Sequence, residues 1–502
     1  MSTQTVASIR NAAIDHFRRG QLAQAGECLH RVLEANRADW EAWNMLGTVY
    51  GLLGDYSACE NCCRQVISIQ PGAFLTWNNL GNALKQQQRL DEAESAYREA
   101  LRLQPDYAEA NSNLGGMLME KGRIQEAEPM LRKAIAVKPD HAGAYNNLGT
   151  LLLNRGELQE ALVCCKKSLH LNPAQAESFY NLASVYMALG RLREAVDSYR
   201  QFLVLQPSHQ GARIFLGKAL EQLGLYEEAL ESVRQAIALD AVNADAHFTL
   251  GYVYQAMGKR GEAEQAYKQT LEIEPNHAGA GYFRAMLNGI APEKAPKDYV
   301  RDLFDNYAYK FDNDLVNNLG YRTPDHLNRL FRERIAIPAG RKLRILDLGC
   351  GTGLMGPLLS DVADVLVGVD LSPKMVDKAR ERNIYSELIV GDVVDPLNAG
   401  GAEYDLVVAA DVFVYIGDLK EVFESTRQAL AGDDSSFLFS TEAGDVGEDY
   451  TLRESGRYAH SMAYIEKLSS EYGFEIVQSE SVVLRKEGAD KINGYLFLLR
   501  VV

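Results

Sequence analysis

The chain of 502 residues lacks any run of about 18 uninterrupted apolar residues, so no segment of it predicts a membrane-spanning helix. Residues 1–10 contain no apolar stretch of signal-peptide length either. Cysteine is sparse: seven residues, an odd number without paired spacing, which fits a reducing compartment and predicts a cytoplasmic protein. Cys59 and Cys62 form a Cys-x-x-Cys with Cys63 beside them, but no second Cys or His pair completes a zinc site, and no metal is expected. Basic charge is also short, with 52 Lys and Arg against 68 Asp and Glu. Residues 291–502 hold 24 basic and 36 acidic side chains, and so carry −12 of the net −16. An acidic surface repels phosphates, which argues against a nucleic-acid ligand.

What is present is ordinary globular composition, 47% hydrophobic and 24% charged, at a length that implies more than one domain. A 34-residue period runs from about residue 6 to residue 277. In units starting at Trp40, Phe74, Ala108, Ala142, Ala176, Gln210 and Ala244, the seventh position is always Leu and the eighth is Gly except for Ala183. The twentieth is Ala except for Cys59, and the thirty-second is Pro except for Ala241. Small residues mark helix crossings, and proline ends the second helix of each unit. This pattern resembles the tetratricopeptide repeat, with Cys63 and Cys165 at its usual aromatic position, so the thiols read as core fillers. Residues 1–290 are expected to form an all-α superhelix of about eight repeats plus a closing helix. The sequence Ala-Pro-Glu-Lys-Ala-Pro-Lys over 291–297 reads as a linker, assigned to 291–298.

The sixth position reads Asn79, Asn113, Asn147 and Asn181 in four successive units. An amide offers both a donor and an acceptor, so a row of them matches the polar groups of an extended peptide backbone. The row resembles the asparagine ladder of the O-GlcNAc transferase family, which implies a polypeptide partner on the concave face.

Residues 345–353, Ile-Leu-Asp-Leu-Gly-Cys-Gly-Thr-Gly, describe a buried strand entering a glycine turn, and Asp370 closes the next apolar run at ribose-gripping distance. A dinucleotide site would want Gly or Ala where Leu354 stands. Strands are predicted over 343–348, 365–370, 386–391, 404–410 and 436–442, followed by a hairpin over 474–480 and 495–501. Together these motifs resemble the class I methyltransferases that bind S-adenosylmethionine, in an α/β Rossmann-like domain over 299–502 with a seven-stranded sheet whose last strand is antiparallel. The resemblance implies that Gly349, Gly351 and Gly353, with Cys350 among them, receive the methionine part of the cofactor, and that Asp347 lies near its amino group. It also implies that Asp370 meets the ribose, that Leu371 belongs to the cofactor site, that Asp392 and Val393 meet the adenine, and that Asp411 stands where cofactor and acceptor halves join.

Ahead of the sheet, residues 299–323 carry Phe304, Tyr307, Tyr309, Phe311 and Tyr321. Their resemblance to bacterial methyltransferases fused to tetratricopeptide repeats implies a lid, with Tyr307 and Phe311 offering aromatic faces to a sulfonium. Between the fifth strand and the hairpin, His460 is poised as a base near neutral pH, with Arg457 and Tyr458 to orient an acceptor and Tyr415 available from the loop after the fourth strand. The expected protein is an S-adenosylmethionine-dependent methyltransferase whose repeats recruit a protein or protein-borne acceptor. Two alternatives stand beside it: a small-molecule or glycan methyltransferase with the repeats as an assembly platform, and a non-enzymatic S-adenosylmethionine-sensing adaptor.

Overall fold

The computed structural model of the chain describes residues 3–308, 311–312, 320–338, 340–400, 403–487 and 490–502. Paired helices come first: α1 Thr3–Arg18 with α2 Leu22–Ala35, α3 Trp40–Leu53 with α4 Tyr56–Ile69, α5 Phe74–Gln86 with α6 Leu90–Leu103, and α7 Ala108–Glu120 with α8 Ile124–Val137. The series continues with α9 Ala142–Asn154 and α10 Leu158–Leu171, α11 Ala176–Ala188 and α12 Leu192–Leu205, α13 Gln210–Gln222 and α14 Tyr226–Leu239, α15 Ala244–Ala256 and α16 Arg260–Ile273, then α17 Ala278–Leu287. Several helices of the array begin where a side chain caps them: Asp39 accepts from the Ala42 N–H, Asn243 from Ala246, and His141, His209 and His277 accept through Nδ1. The eighth-position glycines sit where paired helices touch. A Cβ on Gly81 would lie 2.5 Å from the Tyr97 ring, and one on Gly115 would lie 2.7 Å from Leu131. Cys59, Cys63 and Cys165 are buried free thiols in the same helix interfaces, and burial pushes the Cys165 thiol up to about 12.

The chain forms two compact units, residues 1–186 with 197–207, and residues 187–196 with 208–502. The division falls inside the repeat array. In the second unit the last helices pack on the segments C-terminal to them: the Tyr282 hydroxyl donates to the Gly456 carbonyl, and Phe283 packs with Tyr299 and Leu452.

After α18 Lys297–Tyr307 and α19 Thr323–Arg334 comes an α/β sheet: β1 Leu343–Leu348, β2 Ala363–Asp370, β3 Glu387–Val390, β4 Leu406–Ala409, β5 Ser436–Ala443, the short β6 Tyr450–Leu452 and β7 Tyr458–His460, β8 Phe474–Glu487 and β9 Asp490–Val501. Helices α20 Gly356–Leu359, α21 Pro373–Glu381, α22 Asp395–Asn398, α23 Lys420–Ala429 and α24 Met462–Glu471 connect them. The longer strands lie in the order β3-β2-β1-β4-β5-β9-β8, and β9 alone runs antiparallel to the rest of that set. Alternate strand residues feed two cores. Ile345, Leu438 and Leu498 pack against Leu327, Leu330 and Phe331 of α19, while Leu346, Phe437 and Phe497 pack with Phe423 of α23 and Ile465 of α24.

Two features depart from expectation. The seven expected strands are present, and β6 and β7 add a small hairpin on the end of β5 that brings the described strands to nine. Three-residue strands lack a legible apolar run; the β5 edge imposes their form. The stretch 291–297 is hydrogen-bonded rather than a free tether: Ala295 N–H donates to the Tyr415 carbonyl, and the N–H groups of Gly417 and Asp418 donate to that of Glu293.

Candidate active site

The turn after β1 requires its glycines. Gly349, Gly351 and Gly353 have φ of +59°, +55° and +83°, and a Cβ on Gly349 would lie 2.6 Å from Val412. The turn lets the Gly351 N–H reach Asp370 Oδ2 at 3.0 Å, while Ser372 N–H donates to Oδ1 at 2.8 Å. Burial raises the Asp370 carboxyl to about 6 against the opposing pull of these two N–H groups.

Beside the turn lies a cavity of about 530 Å³. Of the residues expected at a cofactor, Gly349, Gly351, Asp370, Leu371, Asp392, Val393, Asp411, Tyr307 and Phe311 line it. Three others do not. Asp347 is 1% exposed behind the turn, where the Tyr385 hydroxyl donates to its Oδ2 at 2.6 Å and burial raises its carboxyl to about 7. Cys350 faces inward, with its N–H on the Val369 carbonyl, and Gly353 backs onto Tyr385, whose ring a Cβ would meet at 2.9 Å. These three shape the turn from behind, because the strand's alternation points Asp347 into the protein.

Helix α18 and residues 311–312 contribute one wall, through Val300, Leu303, Phe304, Tyr307 and Phe311. Its rings meet edge to face: Phe304 with Tyr415 at 5.3 Å, and Phe311 with Tyr307 at 5.6 Å. Tyr309 lies outside the described residues. Three side chains fasten this wall. Lys297 pairs with Asp392 at 2.6 Å, Asp305 accepts from the Ser372 hydroxyl, and Asp312 accepts from Thr352 and Arg382.

At the other end Asp411 has φ +61°, its N–H donates to Ser440 Oγ at 2.9 Å, and its Oδ2 pairs with Arg485 at 2.8 Å. Arg485, its side chain 3% exposed, also pairs with buried Glu442, whose second oxygen meets Arg453 at 3.1 Å. Nothing in the sequence announced Arg485, Lys297, Asp305 or Asp312, whose partners are remote in the chain.

Of the candidate catalytic residues, Tyr415 and Arg457 line the cavity and Tyr458 and His460 do not. His460 is 0% exposed, with Nε2 at 3.0 Å from the carbonyls of Ile416 and Gly417, while Nδ1 is buried without a partner among the described residues. Burial lowers the ring to about 4. It is a pin holding the loop after β4, and β7 pairing with β5 is what turns it inward. Tyr458 donates its hydroxyl to the Pro292 carbonyl at 2.7 Å. Among the described residues no group of three metal-ligating side chains occurs.

In the array, the asparagine amides tie repeat to repeat. Asn113 donates to Asn78 and Asn82 at 3.0 and 3.1 Å, Asn147 to the Ser112 carbonyl, and Asn181 to Asn146 and Thr150. Asn79 is half-buried. Both amide hydrogens of Asn113 and of Asn181 are thus engaged within the array.

Fold and cavity together define tetratricopeptide-type repeats followed by a methyltransferase domain. The family profile described as "Methyltransferase domain" matches residues 345–433, those described as "TPR repeat" and "Tetratricopeptide repeat" match 217–258 and 244–277, and "Cilia and flagella-associated protein 70 C-terminal domain" matches 3–213. The chain is 43% identical over 61 residues to an 18S rRNA (guanine-N(7))-methyltransferase of Bos taurus, covering 12% of this chain and 22% of that protein. It is 38% identical over 78 residues to a magnesium-protoporphyrin O-methyltransferase of Rhodobacter capsulatus, covering 14% of this chain and 33% of that one. A chain of the APC/C hetero-tetramer Cut9-Hcn1 aligns at 16% identity over 57% of each chain, with a TM-score of 0.45. The chain thus spans between a fifth and a third of the length of these two curated relatives. They come from a mammal and a bacterium, so a bacterial origin does not follow from them.

Proposed function

We propose that this protein transfers a methyl group from S-adenosylmethionine to a protein or a protein-borne acceptor recruited by its repeats. The observation that carries the donor half is the Gly349–Gly351 turn whose N–H fixes Asp370 on the wall of a 530 Å³ cavity, within the size range of small-molecule sites. The residues present fit that cofactor. Asp370 offers a carboxylate to a ribose diol, Asp392 and the Val393 N–H offer an acceptor and a donor to a base, and Tyr307 and Phe311 offer ring faces to a cation. When bound, S-adenosylmethionine supplies the electrophilic methyl group. The chain's own part is to orient the acceptor and exclude water, with Tyr415 and Arg457 on the cavity wall. Residues 299–502 are the catalytic domain in this reading, and residues 1–290 the recruiting array.

RNA is the second reading, because several relatives are named for ribosomal RNA. The methyltransferase profile stops at residue 433, before β5 and the hairpins, so the likeness speaks for the donor half. The acidic charge of 291–502 weighs against RNA. The test is to incubate the protein with methyl-labelled S-adenosylmethionine and native cell extract and to fractionate the products. Label on polypeptide is expected. Label confined to RNA or small molecules overturns the acceptor class, and no label despite cofactor binding leaves the sensing adaptor.

A further inference from the structure

The wall over the cavity is fastened at three places, each beside one of the three loops expected to hold a cofactor. Asp312 takes hydrogen bonds from Thr352 in the glycine turn and from Arg382, and Asp305 takes them from Ser372 Oγ and, at 3.4 Å, from the Lys374 N–H. These two fasteners use neighbours of the ligand-facing groups. Thr352 and Ser372 are 2% and 0% exposed, and neither lines the cavity.

The third fastener is different. Lys297, the first residue of α18, places Nζ 2.6 Å from Asp392 Oδ2, and both residues line the cavity. Asp392 Oδ1 accepts from the Val394 N–H at 3.3 Å, so each carboxylate oxygen is engaged. Only 9% of Asp392 is exposed, which leaves little carboxylate surface for a second donor. Asp392 is also the residue whose carboxylate, in the reading above, receives an exocyclic amino group of the cofactor's base. Lys297 is 52% exposed and has room to swing into water.

We infer that Lys297 and the amino group of the bound purine compete for Asp392, so that the ligand enters by displacing Lys297 and freeing the start of α18. This rests on the methyltransferase reading, and it makes Lys297 a residue that sets cofactor affinity without contributing to its recognition. The physical cause is single occupancy of a shielded carboxylate: an ammonium on a flexible stem gains an ion pair there only while no ligand donor needs the same oxygen. The other two fasteners are untouched by this exchange, so the far end of the segment stays in place. The freed end runs directly into residues 291–296, which hydrogen-bond to the loop carrying Tyr415.

Titration calorimetry with S-adenosylhomocysteine tests this on the full chain. Lys297→Met is expected to bind about fivefold more tightly than wild type, the scale of a partly exposed ion pair. Wild-type affinity is expected to rise as salt screens the pair, and the variant's is not. S-inosylhomocysteine, which lacks the amino group, is expected to gain nothing from the substitution. Weaker or unchanged binding of S-adenosylhomocysteine by Lys297→Met overturns the competition, as does an equal gain for the inosyl compound. Lys294→Met, which removes a neighbouring cavity lysine, controls for a general charge effect: an equal gain there also overturns it. Wild type that binds neither compound at any salt sinks the methyltransferase reading, and this inference with it.

Discussion

A fully buried histidine ring, one nitrogen of which has no partner among the described residues, couples stability to acid. Above pH 6.5 the His460 ring is neutral in folded and unfolded chains and contributes no pH dependence. As pH falls below 6.5 the unfolded ring takes a proton, while the folded ring resists until about 4. Stability is therefore lost between these values, by about 3 kcal/mol in all. His460→Gln, whose amide can still donate to the Ile416 and Gly417 carbonyls, is expected to show a stability profile flatter by that amount between pH 6.5 and 4 in urea unfolding. Equal slopes would show that the ring does not titrate as its burial requires. The same residue illustrates how far composition reaches: a lone histidine between predicted strands reads as a base, and only its burial at the end of β7 makes it a pin.

Glycines in the repeat helices do two jobs that one sequence symbol hides. Gly251, on α15, would place a Cβ 2.6 Å from the fully buried Tyr267 ring, which is stacked on Phe283 at 5.9 Å. The ring cannot yield, so Gly251→Ala is expected to cost about 1–3 kcal/mol in urea unfolding. Gly261, near the start of α16, would have nothing within 4 Å of an added Cβ, and Gly261→Ala is expected to stabilise by up to about 1 kcal/mol. A destabilised Gly261→Ala with an unaffected Gly251→Ala would reverse the packing account. Period alone marks Gly251 as a crossing because the eighth place is small in every unit. The identity of the neighbour that forbids a side chain comes from the fold.

The compact units do not divide where the repeats end. Residues 208–502 hold the last repeats together with the sheet, through the Tyr282 hydroxyl on Gly456, the Phe283–Tyr299 contact and the Gln255 amide on the Glu454 carbonyl at 3.2 Å. A chain starting at residue 208 is expected to fold and to bind S-adenosylhomocysteine. A chain starting at residue 291 is expected to expose Tyr299, Tyr458 and Leu452 and to aggregate, with light scattering as the measurement. A soluble, ligand-binding 291–502 fragment would show that the last repeats are dispensable to the cavity.

The order of elements was legible because it depends on local pattern. The 34-residue period placed the helix pairs, and apolar runs of strand length placed β1 to β5 near their observed bounds and the closing hairpin at its outer ends, although β8 and β9 extend to Glu487 and from Asp490, well past the apolar runs. The glycine turn with Asp370 was legible because backbone geometry there tolerates few residue types. Lys297 with Asp392, Arg485 with Asp411 and Glu442, and the linker bound to the loop after β4 were not, since each joins residues brought together only by the folded chain. Sequence by itself determined which backbone could form at the glycine turn after β1 and in each repeat, because hydrophobic period and glycine placement act over a few residues. Tertiary structure alone decided which side chains reach the cavity, because burial and ion pairing are properties of neighbours that the chain order does not record.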